Sequence, residues 1–141
     1  MTDRITIKRY STPEEVLSAL FGGVGFDEIA SFGGVDVDGT EYELPISDAL
    51  KNIKETGCYG FTDSKKIIHV WVDQNVAMAN LINLIAHERG HIQRPHFRDE
   101  MKEEMKAGGY GDCAEFAYCV AKDLIVEDKA EYVYQKQGEL P

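Results

Sequence analysis

The spacing of hydrophobic residues changes several times along this 141-residue chain, and each change marks an element. Residues 5–7 form a short strand candidate. Thr12-Pro13-Glu14-Glu15 opens a helix, with Thr12 as N-cap, Pro13 at the first helical position and Glu15 completing a capping box. Gly22 and Gly23 close it. Residues 35–42 read as a hairpin, because Asp38-Gly39 suits a type I′ turn. Ser47 is placed to cap a short helix that Gly57 stops. Residues 59–62 and 66–72 form the next strand pair; Ile67, Ile68, Val70, Trp71 and Val72 suit a half-buried strand, and Asp63-Ser64-Lys65 supplies the turn.

A long helix is predicted over 75–92, ending before Pro95. A charged helix over 98–107 follows, broken by Gly108-Gly109-Tyr110-Gly111, and a last helix covers 112–126. Residues 130–134 add a strand or stay loose. The order predicts an α+β fold with a short mixed or antiparallel sheet. No linker or repeat divides residues 1–141, so one domain is expected. Residues 1–50 supply the N-terminal helix and hairpin, and 58–126 the chemically interesting core.

The helix at 75–92 carries that chemistry. Asn80, Asn83, His87 and His91 recur at three- and four-residue spacing and line one polar stripe, while Leu81, Leu84 and Ile85 cover neighbouring faces. Two histidines four apart project from the same face and can share one metal ion. Glu88 between them is close enough to serve as a base toward water activated by that metal. Catalytic zinc usually takes three protein ligands. Glu115, in an apolar surround on the last helix, is the leading third candidate; Asp112 and His96 are alternatives. Asp112-Cys113-Ala114-Glu115 reads equally well as a capping box. Glu100, Glu103 and Glu104 read as a solvated helix face, and His69 as an ordinary structural or exposed histidine within a strand. Gly90 costs a helix interior roughly 1 kcal/mol relative to alanine. It implies either a close approach of strand or ligand, or simply the nearby helix end.

Composition narrows the classes. The chain has a net charge of −10 and a pI of about 4.8. An acidic chain lacks the basic patches that nonspecific nucleic-acid or anionic-membrane binding needs. Met1-Thr2-Asp3-Arg4-Ile5 has no signal-like apolar region, and the apolar run at 76–86 is interrupted by Asn80 and Asn83 and is too short to span a bilayer. Cys58, Cys113 and Cys119 form an odd set without zinc-finger spacing, which suits reduced thiols in the cytoplasm.

His87-Glu88-Arg89-Gly90-His91 resembles the His-Glu-x-x-His signature of the zincin metallopeptidases. More narrowly, the order of strand 67–72, connector and histidine helix is similar to the compact gluzincins and the ImmA/IrrE-like peptidases of phages, mobile elements and stress regulators. Asp112-Cys113-Ala114-Glu115-Phe116-Ala117 is similar to their alanine- and aromatic-rich helix, which implies Glu115 as the third ligand. Cys119 stands where that family has asparagine, and Arg94-Pro95-His96 departs from its usual pattern. The resemblance covers roughly residues 58–124. It implies a zincin-like domain, one Zn²⁺, and hydrolysis of a peptide or protein substrate with Glu88 as the catalytic residue. Tyr110 and Tyr118, with His96, are candidate donors to the substrate carbonyl, and the strand at 66–73 could bind an extended peptide at its edge. Two other classes are a zinc-binding regulatory module without hydrolysis and a metal-free structural domain.

Overall fold

Thr12 starts the first helix as its sequence suggests. In the computed structural model, which describes residues 4–35 and 40–126, its hydroxyl accepts from the Glu15 main-chain N–H at 3.2 Å and donates to the Glu15 carboxylate at 3.1 Å. The described residues form a small α+β domain with a short mixed sheet, a separate hairpin and four α-helices. In chain order these are β1 (Thr6–Tyr10), α1 (Pro13–Leu20), a 3₁₀ turn (Phe26–Glu28), β2 (Ser31–Val35), β3 (Glu41–Pro45), α2 (Ile46–Thr56), β4 (Cys58–Thr62), β5 (Ile67–Val72), α3 (Met78–Ile92) and α4 (Glu100–Val126). No helix among them is long and apolar enough to cross a membrane.

β5 is the central strand. It pairs parallel with β1, Thr6 opposite Ile67 and Tyr10 opposite Trp71, and antiparallel with β4, Cys58 opposite Val72. The strand expected to offer a free edge is therefore paired on both sides, and the edges fall to β1 and β4. β2 and β3 pair as an antiparallel hairpin, Val35 opposite Glu41; the Asp38-Gly39 turn and the tail at 130–134 lie outside the described residues.

Side chains alternate across a strand, so β5 serves two layers. Trp71 faces Val16 and Leu17 of α1 and Ile53 of α2, the buried cluster that holds those helices to the sheet. On the other face, a Cβ on Gly60 would touch Val70 of β5 and Leu84 of α3, which shows how closely α3 lies on β4. His69 is structural, as expected. Its Nε2 meets Asp63 at 2.8 Å, its Nδ1 meets the Tyr10 hydroxyl at 2.8 Å, and its ring stacks on Phe61. The three strands are thereby tied together by side chains as well as by the ladder.

Several boundaries differ from expectation. α2 begins at Ile46 directly after Pro45, with Ser47 inside its first turn and no side-chain cap. α3 begins at Met78 rather than Asn75, because Asp73 folds 73–76 into a turn, its carboxylate accepting from the Asn75 N–H at 3.0 Å. The largest difference is α4. It runs unbroken through Gly108-Gly109-Tyr110-Gly111, so two expected helices are one.

Tertiary contact explains that continuity. α4 lies antiparallel along α3, and at the crossing a Cβ on Gly90 would sit 3.0 Å from the Ala107 Cα and 2.9 Å from the Tyr110 ring. One on Gly111 would sit 2.9 Å from the Asn83 carbonyl oxygen. Gly90 and Gly111 let the two backbones meet, and that packing outweighs their poor helix propensity, whereas Gly108 and Gly109 face open space. Gly90 thus serves a close approach, to a helix rather than to a strand.

Candidate functional site

α3 presents His87 and His91 one turn apart, with ring centroids separated by 5.0 Å. Metal-ligating atoms of His87, Glu88 and His91 all lie within 4.8 Å of one another. Glu88 is the buried charged residue among those described, at 5% exposure. One side of its carboxylate reaches β4, where the Thr62 hydroxyl lies 3.0 Å from its Oε1 and 3.1 Å from its main-chain carbonyl. Its other oxygen, Oε2, is 3.9 Å from His87 Nε2. Burial pushes the Glu88 carboxyl above the usual carboxylate range, opposed by the two histidines and by the Thr62 hydrogen bond.

α4 supplies the group that spans the pair. Glu104 Oε2 is 3.1 Å from His87 Nε2, and Glu104 Oε1 is 3.1 Å from His91 Nε2. Both histidines thus turn the same ring nitrogen toward a single carboxylate. Hydrogen bonds with His87 and His91 pull the Glu104 carboxyl down to about 2. The reciprocal bond to Glu104, aided by one to Glu103, lifts His91 to about 9 against the opposing effect of burial. Glu103, one residue earlier, reaches His91 from behind: its Oε2 is 2.8 Å from Nδ1. Burial would raise the Glu103 carboxyl, but hydrogen bonds from His91, Lys106 and the Phe97 main-chain N–H outweigh it and hold it low.

Glu103, at 18% exposure, is therefore not part of the solvated face its sequence suggested, whereas Glu104 is solvent-exposed as expected and yet reaches both histidines. Glu115 lies in the same cleft, where its Oε1 accepts from Asn83 at 2.9 Å; Asp112 accepts from the same amide at 3.2 Å. His96 is exposed and borders a shallow hollow that also includes His91, Thr62 and Glu103. Tyr110 packs its ring against Gly90, and Tyr118 lines a separate hollow beside Ala77 and Met78. The tyrosines that line the cleft itself are Tyr42 and Tyr59, neither of which the sequence singled out. Burial first, then the charge of Glu88, drives the Tyr59 phenol far above its ordinary value, so it keeps its proton.

The cleft has a volume of about 750 Å³. One wall is apolar, built from Leu20, Phe21 and Phe32, and the edge strand β4 contributes Cys58 through Phe61. The opposite side is the polar stripe of α3, from Asn80 and Asn83 to His87 and Glu88, with Glu104 and Glu115 of α4 beside it. Two imidazole nitrogens and a carboxylate converging from adjacent helices form the donor set that Zn²⁺ favours, so the residues present fit such an ion. No known family model, curated protein or solved structure matches this chain.

Proposed function

We propose that this protein is a zincin-type metal-dependent hydrolase that cleaves peptide bonds, with His87, His91 and Glu104 holding one Zn²⁺ and Glu88 acting as general base. The observation that carries this reading is the convergence of both His Nε2 atoms on the Glu104 carboxylate, with the buried Glu88 alongside. In this assignment Glu104 takes the third-ligand position that sequence resemblance implied for Glu115. A bound zinc ion supplies Lewis acidity, lowering the pKa of water and polarising a carbonyl.

The protein's own groups do the rest. Thr62 engages Glu88 Oε1, which leaves Oε2 on the histidine side to accept a proton from water and return it to the departing amine. Partial desolvation raises the basicity of that carboxylate, as a base working near neutral pH needs. β4, the sheet edge lining the cleft, is placed to hold an extended substrate through main-chain hydrogen bonds. Phe21, Phe32 and Tyr59 beside it suit an apolar side chain of that substrate, and the protonated Tyr59 phenol is a hydrogen-bond donor toward a substrate carbonyl. Thiol cysteines at positions 58, 113 and 119 suit work in a reducing compartment such as the cytoplasm.

The test is metal analysis of purified protein, with wild type and Glu88→Gln compared on a peptide library. The reading expects equal zinc content and cleavage by wild type alone. Absence of bound metal sinks it, and so does equal cleavage by both proteins. Zinc bound by both with cleavage by neither would replace the enzyme with a regulatory metal module.

A further inference from the structure

The metal reading leaves one feature of the site unused: the carboxylate behind His91. We propose that Glu103 is a positioning residue, one that fixes the His91 ring through Nδ1 so that Nε2 points into the metal site. The inference rests on the metal reading above and adds a role to a residue that would not itself touch the ion.

The two nitrogens of an imidazole are distinct, and a carboxylate accepting from one sets which tautomer and which orientation the other presents. Here the division is visible. Nε2 of His91 faces Glu104 at 3.1 Å, while Nδ1 faces Glu103 at 2.8 Å. Consecutive helix residues diverge by about 100°, so neighbouring glutamates on α4 reach opposite sides of one ring. Their surroundings differ in the same sense: the Glu104 side chain is 53% exposed, whereas that of Glu103 is 18% exposed.

Glu103 is also held firmly. Its Oε1 accepts from Lys106 Nζ at 2.9 Å and from the Phe97 main-chain N–H at 3.2 Å, leaving Oε2 for the ring. Lys106 in turn donates to the carbonyls of Gln93 at 2.6 Å and Pro95 at 2.8 Å, in the segment that joins α3 to α4. The C-terminal end of α3, the connecting segment and the first turns of α4 are thus tied through one ammonium to the carboxylate that holds the ring. A residue serving only to pin the connecting segment would not need to spend an oxygen on Nδ1.

Zn²⁺ affinity, measured by chelator competition, tests the assignment on wild type, Glu103→Ala, Lys106→Met and His91→Ala. Glu103→Ala should lose about 10- to 100-fold in affinity, the scale of a carboxylate behind a metal-bound histidine. Lys106→Met, which keeps that carboxylate opposite Nδ1, should lose much less even if it melts earlier. Equal losses in Glu103→Ala and Lys106→Met, tracking their melting temperatures, would reduce Glu103 to a structural tie. A variant-free readout guards against misfolding: imidazole ¹⁵N spectra of the zinc-loaded wild type should show His91 protonated at Nδ1. Protonation at Nε2 overturns the proposal whatever the variants do. If wild type binds no Zn²⁺, or His91→Ala binds as well as wild type, the metal reading itself fails and this inference with it. Loss in His91→Ala with none in Glu103→Ala overturns the positioning role alone.

Discussion

Replacing Glu104 and Glu115 separately by alanine decides which carboxylate completes the site. Structural Zn²⁺ sites with four protein ligands bind with roughly 10–16 kcal/mol at neutral pH, so one ligand is worth about 3 kcal/mol, or a factor of roughly 100 to 1,000 in affinity. Glu104 touches both Nε2 atoms at 3.1 Å, and its removal should incur that full loss. Glu115 spends its Oε1 on Asn83, on the turn of α3 before His87. Its removal breaks one partly buried hydrogen bond, a cost of roughly 0.5–1.5 kcal/mol in folding stability. Zinc affinity should then stay within about threefold of wild type, the scatter expected for a site not directly touched.

Chelator competition gives the affinities and urea denaturation of the metal-free proteins gives the stabilities. The expected pattern is crossed. Glu104→Ala loses zinc, whereas Glu115→Ala loses some stability and keeps zinc. A larger zinc defect in Glu115→Ala than in Glu104→Ala would refute the assignment, because the helix register that brings Glu104 to the histidines could not then describe the loaded protein.

Metal-free Glu88→Gln should melt above wild type at pH 7, because burial raises the folded-state Glu88 value and the folded protein is penalised as pH rises through that window; the advantage should vanish below the ordinary carboxylate value near pH 4.5, and a constant difference across pH would contradict it. His91, raised to about 9, adds stability to the metal-free protein that is full below its ordinary value of 6.5 and lost as pH climbs through about 9. Glu104, lowered to about 2, adds stability that is full above 4.5 and lost as pH falls through about 2, so urea midpoints should carry an ion-pair contribution greatest between 4.5 and 6.5. Half-exposure of Glu104 keeps that contribution modest, and a profile unchanged by Glu104→Gln would refute it. Gly90→Ala should destabilise by about 1–2 kcal/mol in urea, since its Cβ meets the Ala107 backbone and overpacking outweighs the gain in helix propensity; a stabilised variant would show that the helices can part freely.

How far the site could be read from the sequence follows from the range of the contacts involved. His87, Glu88 and His91 were legible because helical geometry alone sets where residues i, i+1 and i+4 project. The start of α1 at Thr12 and the stop of α2 at Gly57, which has φ +85°, were legible for the same reason. Glu103 and Glu104 belong to a different kind of problem. Their contacts depend on which face of α4 meets α3, and the glycine run at 108–111 hid even the existence of one continuous helix. Judged by propensity, each of those glycines costs about 1 kcal/mol. Judged by packing, Gly111 sits against the Asn83 main chain, and Gly90 admits Ala107 from the facing helix. Once the crossing is fixed there, an antiparallel α4 sets its later residues opposite Asn83 and its earlier ones opposite His87 and His91. Glu115 then falls beside Asn83 and Glu104 between the histidines. Gly111, which looked like part of a helix end, therefore helps select the carboxylate that faces the two histidines.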